Sequence, residues 1–244
     1  MTASVAIVGA WDAIGAAIAR RFATGGFHVH GGRRQADRLA PLADEIASSG
    51  GRFTPHTLDA RDPASLEPFL NAADADPAAP LDLVVFNIGA NVQFALTETT
   101  DRVFRKVWEM ACFAGFMTGR EAARRMLPRG RGAIFFTGAT ASVRGGAGYA
   151  AFASAKAGLR LAAQSMAREL GPHGIHVAHL VIDAGVDTPW VRQRIAQQHG
   201  ADTSIPEGRL MAPASIADTY WTLYHQPRDA WTHELDLRPA GEAW

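Results

Sequence analysis

SVAIVGAWDAIGAAIARRFATGG, residues 4–26, is the stretch whose reading decides the fold. The apolar run SVAIVG is strand-like, AIGAAIARRFATGG is helical, and GAWDAIG, Gly9 to Gly15, joins the two. A glycine turn between a strand and a helix lets backbone N–H groups and a helix N-terminus face a pyrophosphate, and glycine is needed wherever a side chain would collide with that ligand. The same spacing also serves as a tight turn without a ligand. Its weight comes from its placement between a strand and a helix at the very N-terminus.

Outward from this unit the pattern repeats. FHVHGG precedes a helix through LAPLADEIASSG, RFTPHTLDA precedes a helix around ASLEPFLNAA, and LDLVVFNIG precedes a long helical segment, 101–127. GAIFFTGAT, a helix over 149–171 and HVAHLVID follow, then the helix SIADTYWTLYHQ and a last short strand, HELDLRP. Strands alternating with helices predict an α/β class with a doubly wound parallel sheet covered on both faces. Residues 1–244 read as a single domain, because DADPAAP (74–80) is loop-length and no repeat or low-complexity tail is present. Residues 190–213 mix charge, Gly and Pro without one period and suit either a substrate lid or a plain surface excursion.

The bulk properties narrow the function. A chain of 244 residues with 48% hydrophobic content can bury a full core, and 24 Lys+Arg against 24 Asp+Glu leave no charge to draw nucleic acid or an anionic membrane. Small molecules or further copies of the chain are the expected partners. One cysteine, Cys112, makes no internal disulfide, and the N-terminus enters a strand without a basic leader, so a reduced, cytoplasmic setting is expected. No apolar run reaches membrane-spanning length. His173, His176 and His179 straddle a Gly-Pro turn and a strand, and no metal site is expected.

On these motifs the whole chain resembles the short-chain dehydrogenase/reductase family, which implies a three-layer Rossmann fold, a nicotinamide dinucleotide and a homodimer or homotetramer paired through the long helix and the 149–171 helix. The family's turn reads TGxxxGxG. Here Gly9 and Gly15 are kept, while Val8, Ala13 and Ala16 depart from it. Gly9, Trp11, Asp12, Ile14 and Gly15 are the candidate contacts of the turn. The resemblance adds Asp59 and Ala60 for adenine, Asn87 and Gly89 for the ribose wall, and Val186 and Thr188 for the carboxamide and phosphates. Where NAD-preferring members carry an acid, this chain has Gly32 followed by Arg33 and Arg34, whose guanidinium forks favour NADP(H) over NAD(H). Asp12 argues the other way.

The catalytic positions diverge. In the family a serine, a tyrosine and lysine spaced YxxxK, and an asparagine carry the proton chemistry. Carried over through GGAGYAAF and SAKAGL, the tyrosine position is Phe152 and the lysine is Lys156; the serine position is Ala139 and the asparagine position is Cys112. Phenylalanine fills tyrosine's volume without its O–H. Three candidates remain for catalysis: Lys156 as a ribose ligand, Tyr149 on nearly the same helix face as Phe152, and Asp183, an acid at the family's Pro-Gly position that burial could keep protonated as a donor. Thr140 and Ser142 flank Ala139. Strand alternation would turn Thr140 to the opposite face, and Ser142 reads as loop.

The pattern implies a divergent NADP(H)-dependent oxidoreductase acting on a substrate that needs little acid assistance, such as a conjugated C=C. A cofactor-binding protein without turnover, in a regulatory or structural role, is the alternative. Non-redox elimination or dehalogenation in the same pocket is a third reading, and it expects a more decayed glycine turn.

Overall fold

Val5 and Ile7 of the first strand point into one hydrophobic cluster and Ala6 and Val8 into another, so consecutive side chains supply the cores on opposite faces of one sheet. That strand, β1 (Ser4–Val8), is central, and β2 (His28–Arg33), β3 (Arg52–Thr57), β4 (Leu81–Phe86), β5 (Gly132–Thr137), β6 (Ile175–Ile182) and β7 (Glu234–Leu237) complete a seven-stranded sheet. Its order is β3-β2-β1-β4-β5-β6-β7 and every pairing is parallel. The computed structural model of the chain describes residues 3–11, 13–200 and 203–242. Asp12, one of the expected contacts of the turn, lies outside them.

Helices α1 (Ala13–Thr24), α2 (Ala40–Ser48) and α8 (Pro213–Tyr224) supply the first cluster, and α3 (Pro63–Ala73), α5 (Ala114–Met126) and α6 (Ala150–Leu170) the second. The expected doubly wound, three-layer architecture is therefore the observed one. Local chemistry sets the helix starts. Asp62 accepts the Ala64 N–H at 2.9 Å ahead of Pro63, Thr100 accepts the Val103 N–H at 3.2 Å ahead of α4 (Asp101–Trp108), and Thr188 accepts the Val191 N–H at 3.1 Å ahead of α7 (Pro189–His199).

The segment expected as one long helix is interrupted. Between α4 and α5, residues Glu109–Phe113 form a π-helical turn that contains Cys112. Such a turn re-aims a short length of helix and recurs at functional sites. β5 stops at Thr137, so Ala139 stands just beyond the strand, and strand alternation does not orient Thr140, which lies in a short helical turn, Thr140–Ser142. In the 190–213 excursion, α7 occupies the first half, and Val186 bridges to Met211 where the excursion returns.

β2 and β3 bring three histidines together. His30 Nδ1 lies 3.0 Å from His56 Nε2, the His28 ring lies tilted against that of His30 with centroids 4.2 Å apart, and His28 Nε2 lies 2.8 Å from Thr54 Oγ1. Burial above all, then the neighbouring His28, His56 and Arg52, pushes His30 down to about 3, and burial also lowers His28 and His56. The folded His30 stays neutral where the unfolded one, near 6.5, takes up a proton. Stability is thus whole above pH 6.5 and is lost as the pH falls toward 3. From His30 alone we expect a loss of about 2 kcal/mol between pH 8 and pH 5. Urea unfolding at the two pH values checks this, and an unchanged midpoint would contradict it.

Candidate active site

A cavity of about 210 Å³ opens at the carboxyl ends of β1, β2, β3 and β4, on both sides of the point where the strand order reverses. Its walls include Gly9 and Trp11 from the first turn, Arg33 and Arg34 beyond β2, Asp59, Ala60 and Arg61 beyond β3, and Asn87 and Gly89 beyond β4. Nearly all of the expected adenine and ribose contacts therefore meet in one place. Ile14 packs against the core beneath the turn and Gly15 lies at the start of α1.

The glycines have different reasons. Gly9 has φ +96°, and a Cβ on it would sit 2.8 Å from the Asn87 carbonyl oxygen. A Cβ on Gly15 would run into the Gly9 carbonyl oxygen. Both are thus required by the protein's own backbone packing, which Asn87 completes by donating its N–H to Val8 O at 2.8 Å and its Nδ2 to Gly9 O at 3.0 Å. A Cβ on Gly89 would meet nothing within 4 Å, so the space there is left open by glycine and not filled by the fold.

Arg33 stacks over the Trp11 ring, 4.0 Å from its centroid, and its Nη1 is buried without a hydrogen-bond partner among the described residues. Burial, with Arg38 and Arg34 nearby, lowers its pKa. A crowded cation with an unspent donor at a cavity wall fits an anionic group. Asp59 is engaged already. Arg61 grips it through Nε at 2.9 Å and Nη2 at 2.6 Å, and this hydrogen-bonded pairing holds the Asp59 carboxyl below its usual range. Arg61 follows Asp59 by two residues in the sequence, but only the fold reveals that it closes on Asp59.

On the far side of Asn87 lies the divergent part. Phe152 and Cys112 are buried in one apolar cluster with Val107, Ala111, Ala151 and Ala155, and Ala139 packs against it. The three altered positions are thus neighbours on one surface, and burial pushes the Cys112 thiol up, away from a thiolate. Ser142 restores no hydroxyl to the cleft: it is buried and accepts the Ala139 N–H at 3.1 Å. Lys156 is 2% exposed, and its Nζ donates to the carbonyl oxygens of Ile88 at 3.0 Å and Thr137 at 2.8 Å. The ammonium therefore ties the ends of β4 and β5 together and anchors the cavity wall at Ile88 and Gly89.

The other two catalytic candidates sit apart from it. Asp183 is buried between two guanidiniums, accepting from Arg144 at 2.9 Å and pairing with Arg238. One carboxyl oxygen thus accepts a hydrogen bond and the other meets a second guanidinium in an ion pair, so two cations stand around the group expected as a proton donor. Tyr149 rests its ring on the apolar cluster, and its hydroxyl accepts from Arg194 Nη2 at 2.8 Å. Val186 is held by its bridge to Met211, and the Thr188 hydroxyl caps α7. His176 and His179 go to different partners, the Thr232 carbonyl and Glu234, and no group of three metal-ligating side chains occurs among the described residues.

The profile of the short chain dehydrogenase family matches residues 3–199. The chain is 29% identical over 213 residues to the 3-oxoacyl-acyl-carrier-protein reductase FabG of Escherichia coli (strain K12), an alignment covering 87% of this chain and 85% of that protein. Among solved structures it is similar to a short-chain dehydrogenase from Rhodopseudomonas palustris, with 56% identity, a TM-score of 0.83, and 97% and 98% of the two chains covered. It is also similar to an alcohol dehydrogenase from the archaeon Thermococcus sibiricus complexed with 5-hydroxy-NADP, with 25% identity, a TM-score of 0.84, and 100% and 99% covered. With its glycine turn at the switch point of a parallel seven-stranded sheet and its lysine between β4 and β5, the chain belongs to the short-chain dehydrogenase/reductase family of oxidoreductases.

Proposed function

We propose that this oxidoreductase uses NADP(H) in preference to NAD(H) and reduces a small molecule whose activated bond, such as a conjugated C=C, needs no phenolic acid. The observation that carries the reading is the contrast between the two halves of the cleft. The cavity at the first turn is built for a dinucleotide, whereas Ala139, Phe152 and Cys112 present an apolar surface with no proton to give. A bound nicotinamide would supply the hydride. The turn and the N-terminus of α1 would hold its phosphates, Arg33 and Arg34 would meet a 2′-phosphate, and Gly89 leaves room at the wall that Lys156 anchors. A carbonyl would develop alkoxide charge against Phe152 with neither donor nor acid, so the substrate's own electron sink and solvent must take those roles.

Parallel calorimetric titrations with NADPH and NADH test the cofactor half. NADPH is expected to bind roughly tenfold more tightly, the value of one charge-assisted contact. Equal or tighter NADH binding would remove the role given to the arginines, and binding of neither would remove the reading. The alternative of a cofactor held without turnover draws on Lys156, whose ammonium serves two backbone carbonyls.

Pairing of copies belongs to the same proposal. Trp108, Phe113 and Phe116 form an exposed stacked ladder with centroids 5.9 and 6.2 Å apart, and Leu161 of α6 is 60% exposed. A dimer or tetramer is expected by light scattering, and a monomer would exclude it. No helix among the described residues is long and apolar enough to cross a membrane, and a reducing compartment such as the cytoplasm suits the single buried thiol.

A further inference from the structure

Arg192 and Arg194 lie two residues apart on α7 but have opposite partners. Arg192 forks onto Asp187 at 2.6 and 2.8 Å. Arg194 meets no carboxylate among the described residues; its Nη2 donates to the neutral oxygens Tyr149 Oη at 2.8 Å and Gln93 Oε1 at 2.9 Å, with its guanidinium 5.4 Å from the Trp190 ring centroid. The rim it completes is closely built. Phe94 N–H donates to Gly148 O at 2.9 Å, and Gly148 has φ +82°, where a Cβ would sit 2.9 Å from Gln93 Cγ. The chain therefore brings the 93–94 loop, the start of α6 and α7 together at one point. Directly inward, the Tyr149 ring rests on the apolar cluster that holds Phe152 and Cys112.

We propose that this rim is a carboxylate-binding site, and that the substrate is an organic monoanion whose apolar unsaturated body lies on the Phe152 cluster while its carboxylate takes the free edge of the Arg194 fork. The inference rests on reading that cluster as the substrate surface. A guanidinium without a counter-ion among the described residues, oriented by two neutral acceptors and half-buried, is arranged for an anion, and its planar donor pairs match a carboxylate. One fork suits one negative charge. Arg192, two residues away, is committed to Asp187, and Arg144 to Asp183, so neither adds an uncommitted cation for a phosphate dianion.

The probes are trans-cinnamate and its uncharged methyl ester, titrated by calorimetry into the full-length protein with and without saturating NADPH. The acid is expected to bind at least about tenfold more tightly than the ester. Arg194→Met should weaken cinnamate by roughly 10- to 100-fold and leave the ester within about twofold. Arg194→Gln, which keeps a polar contact to Tyr149 and Gln93 without the charge, should lose the same preference, and unchanged NADPH affinity and thermal midpoint in either variant establish that the fold is intact. Equal affinity for acid and ester, a preference that survives both substitutions, or no binding of either probe overturns the proposal. Failure of NADPH to bind would instead strike the cofactor reading, since the acid preference is also read without cofactor.

Discussion

Phe152→Tyr combined with Ala139→Ser is expected to raise NADPH-dependent reduction of a simple ketone by at least about 100-fold over the unaltered protein, the usual worth of a positioned acid. Residue 152 lies one helical turn before Lys156 on α6, so a phenol there would share the face on which the ammonium stands. Phe152→Tyr alone should gain little. Its hydroxyl would enter a nest of Val107, Ala111, Cys112 and Ala155, which offers no good hydrogen-bond partner, and stranding it costs about 1–3 kcal/mol of stability. Ala139→Ser supplies the missing partner at the end of β5. Initial rates of NADPH oxidation with the single and double variants decide it. A full gain from Phe152→Tyr alone would show that the serine position is irrelevant, and no gain from the double variant would show that the lost hydroxyls are not what limits carbonyl reduction.

Lys156→Met should be the most damaging single change in the cleft. Methionine fills the stem's volume but strands the carbonyl oxygens of Thr137, buried at the end of β5, and of Ile88, half-buried just beyond β4. Two unsatisfied acceptors together cost on the order of 3 kcal/mol of stability. Because Ile88 and Gly89 line the cofactor cavity, the loosened wall is expected to weaken NADPH by about 30-fold or more. Denaturant unfolding and an NADPH titration read the two effects separately. An affinity within twofold of the unaltered protein would reduce Lys156 to a strut between strands with no bearing on the cofactor.

The architecture was legible because its determinants are local. The continuous apolar run Val5 to Val8, buried on both faces of the sheet, and the Gly9 to Gly15 turn lie within one β-α unit, and repeating that unit leaves few arrangements of a parallel sheet. Ala139, Phe152 and Cys112 are read against the family's motif from the sequence alone, and the fold adds that they share one apolar cluster. Contacts that join distant segments were not legible. Asp183 lies between Arg144 and Arg238, 39 and 55 residues away along the chain, and no spacing rule connects them. Arg194 reaches Tyr149 only because α7 folds back over the start of α6. The π-helical turn at Cys112 hides inside a continuous helical pattern, because a single extra residue in one turn scarcely disturbs the hydrophobic period. Gly9 and Gly15 stand out in the sequence, yet the backbone collisions that require them belong to the fold, so their presence alone says less about a ligand than the open space at Gly89.

Hydride transfer in a cleft without a phenol is read as NADPH oxidation by the unaltered protein against a panel of conjugated enones and enoates matched with their saturated ketones. Turnover of one or more conjugated substrates, with the matched ketones at background, is the predicted result. Tight NADPH binding with no turnover across the panel would contradict hydride transfer and leave a protein that only holds its cofactor.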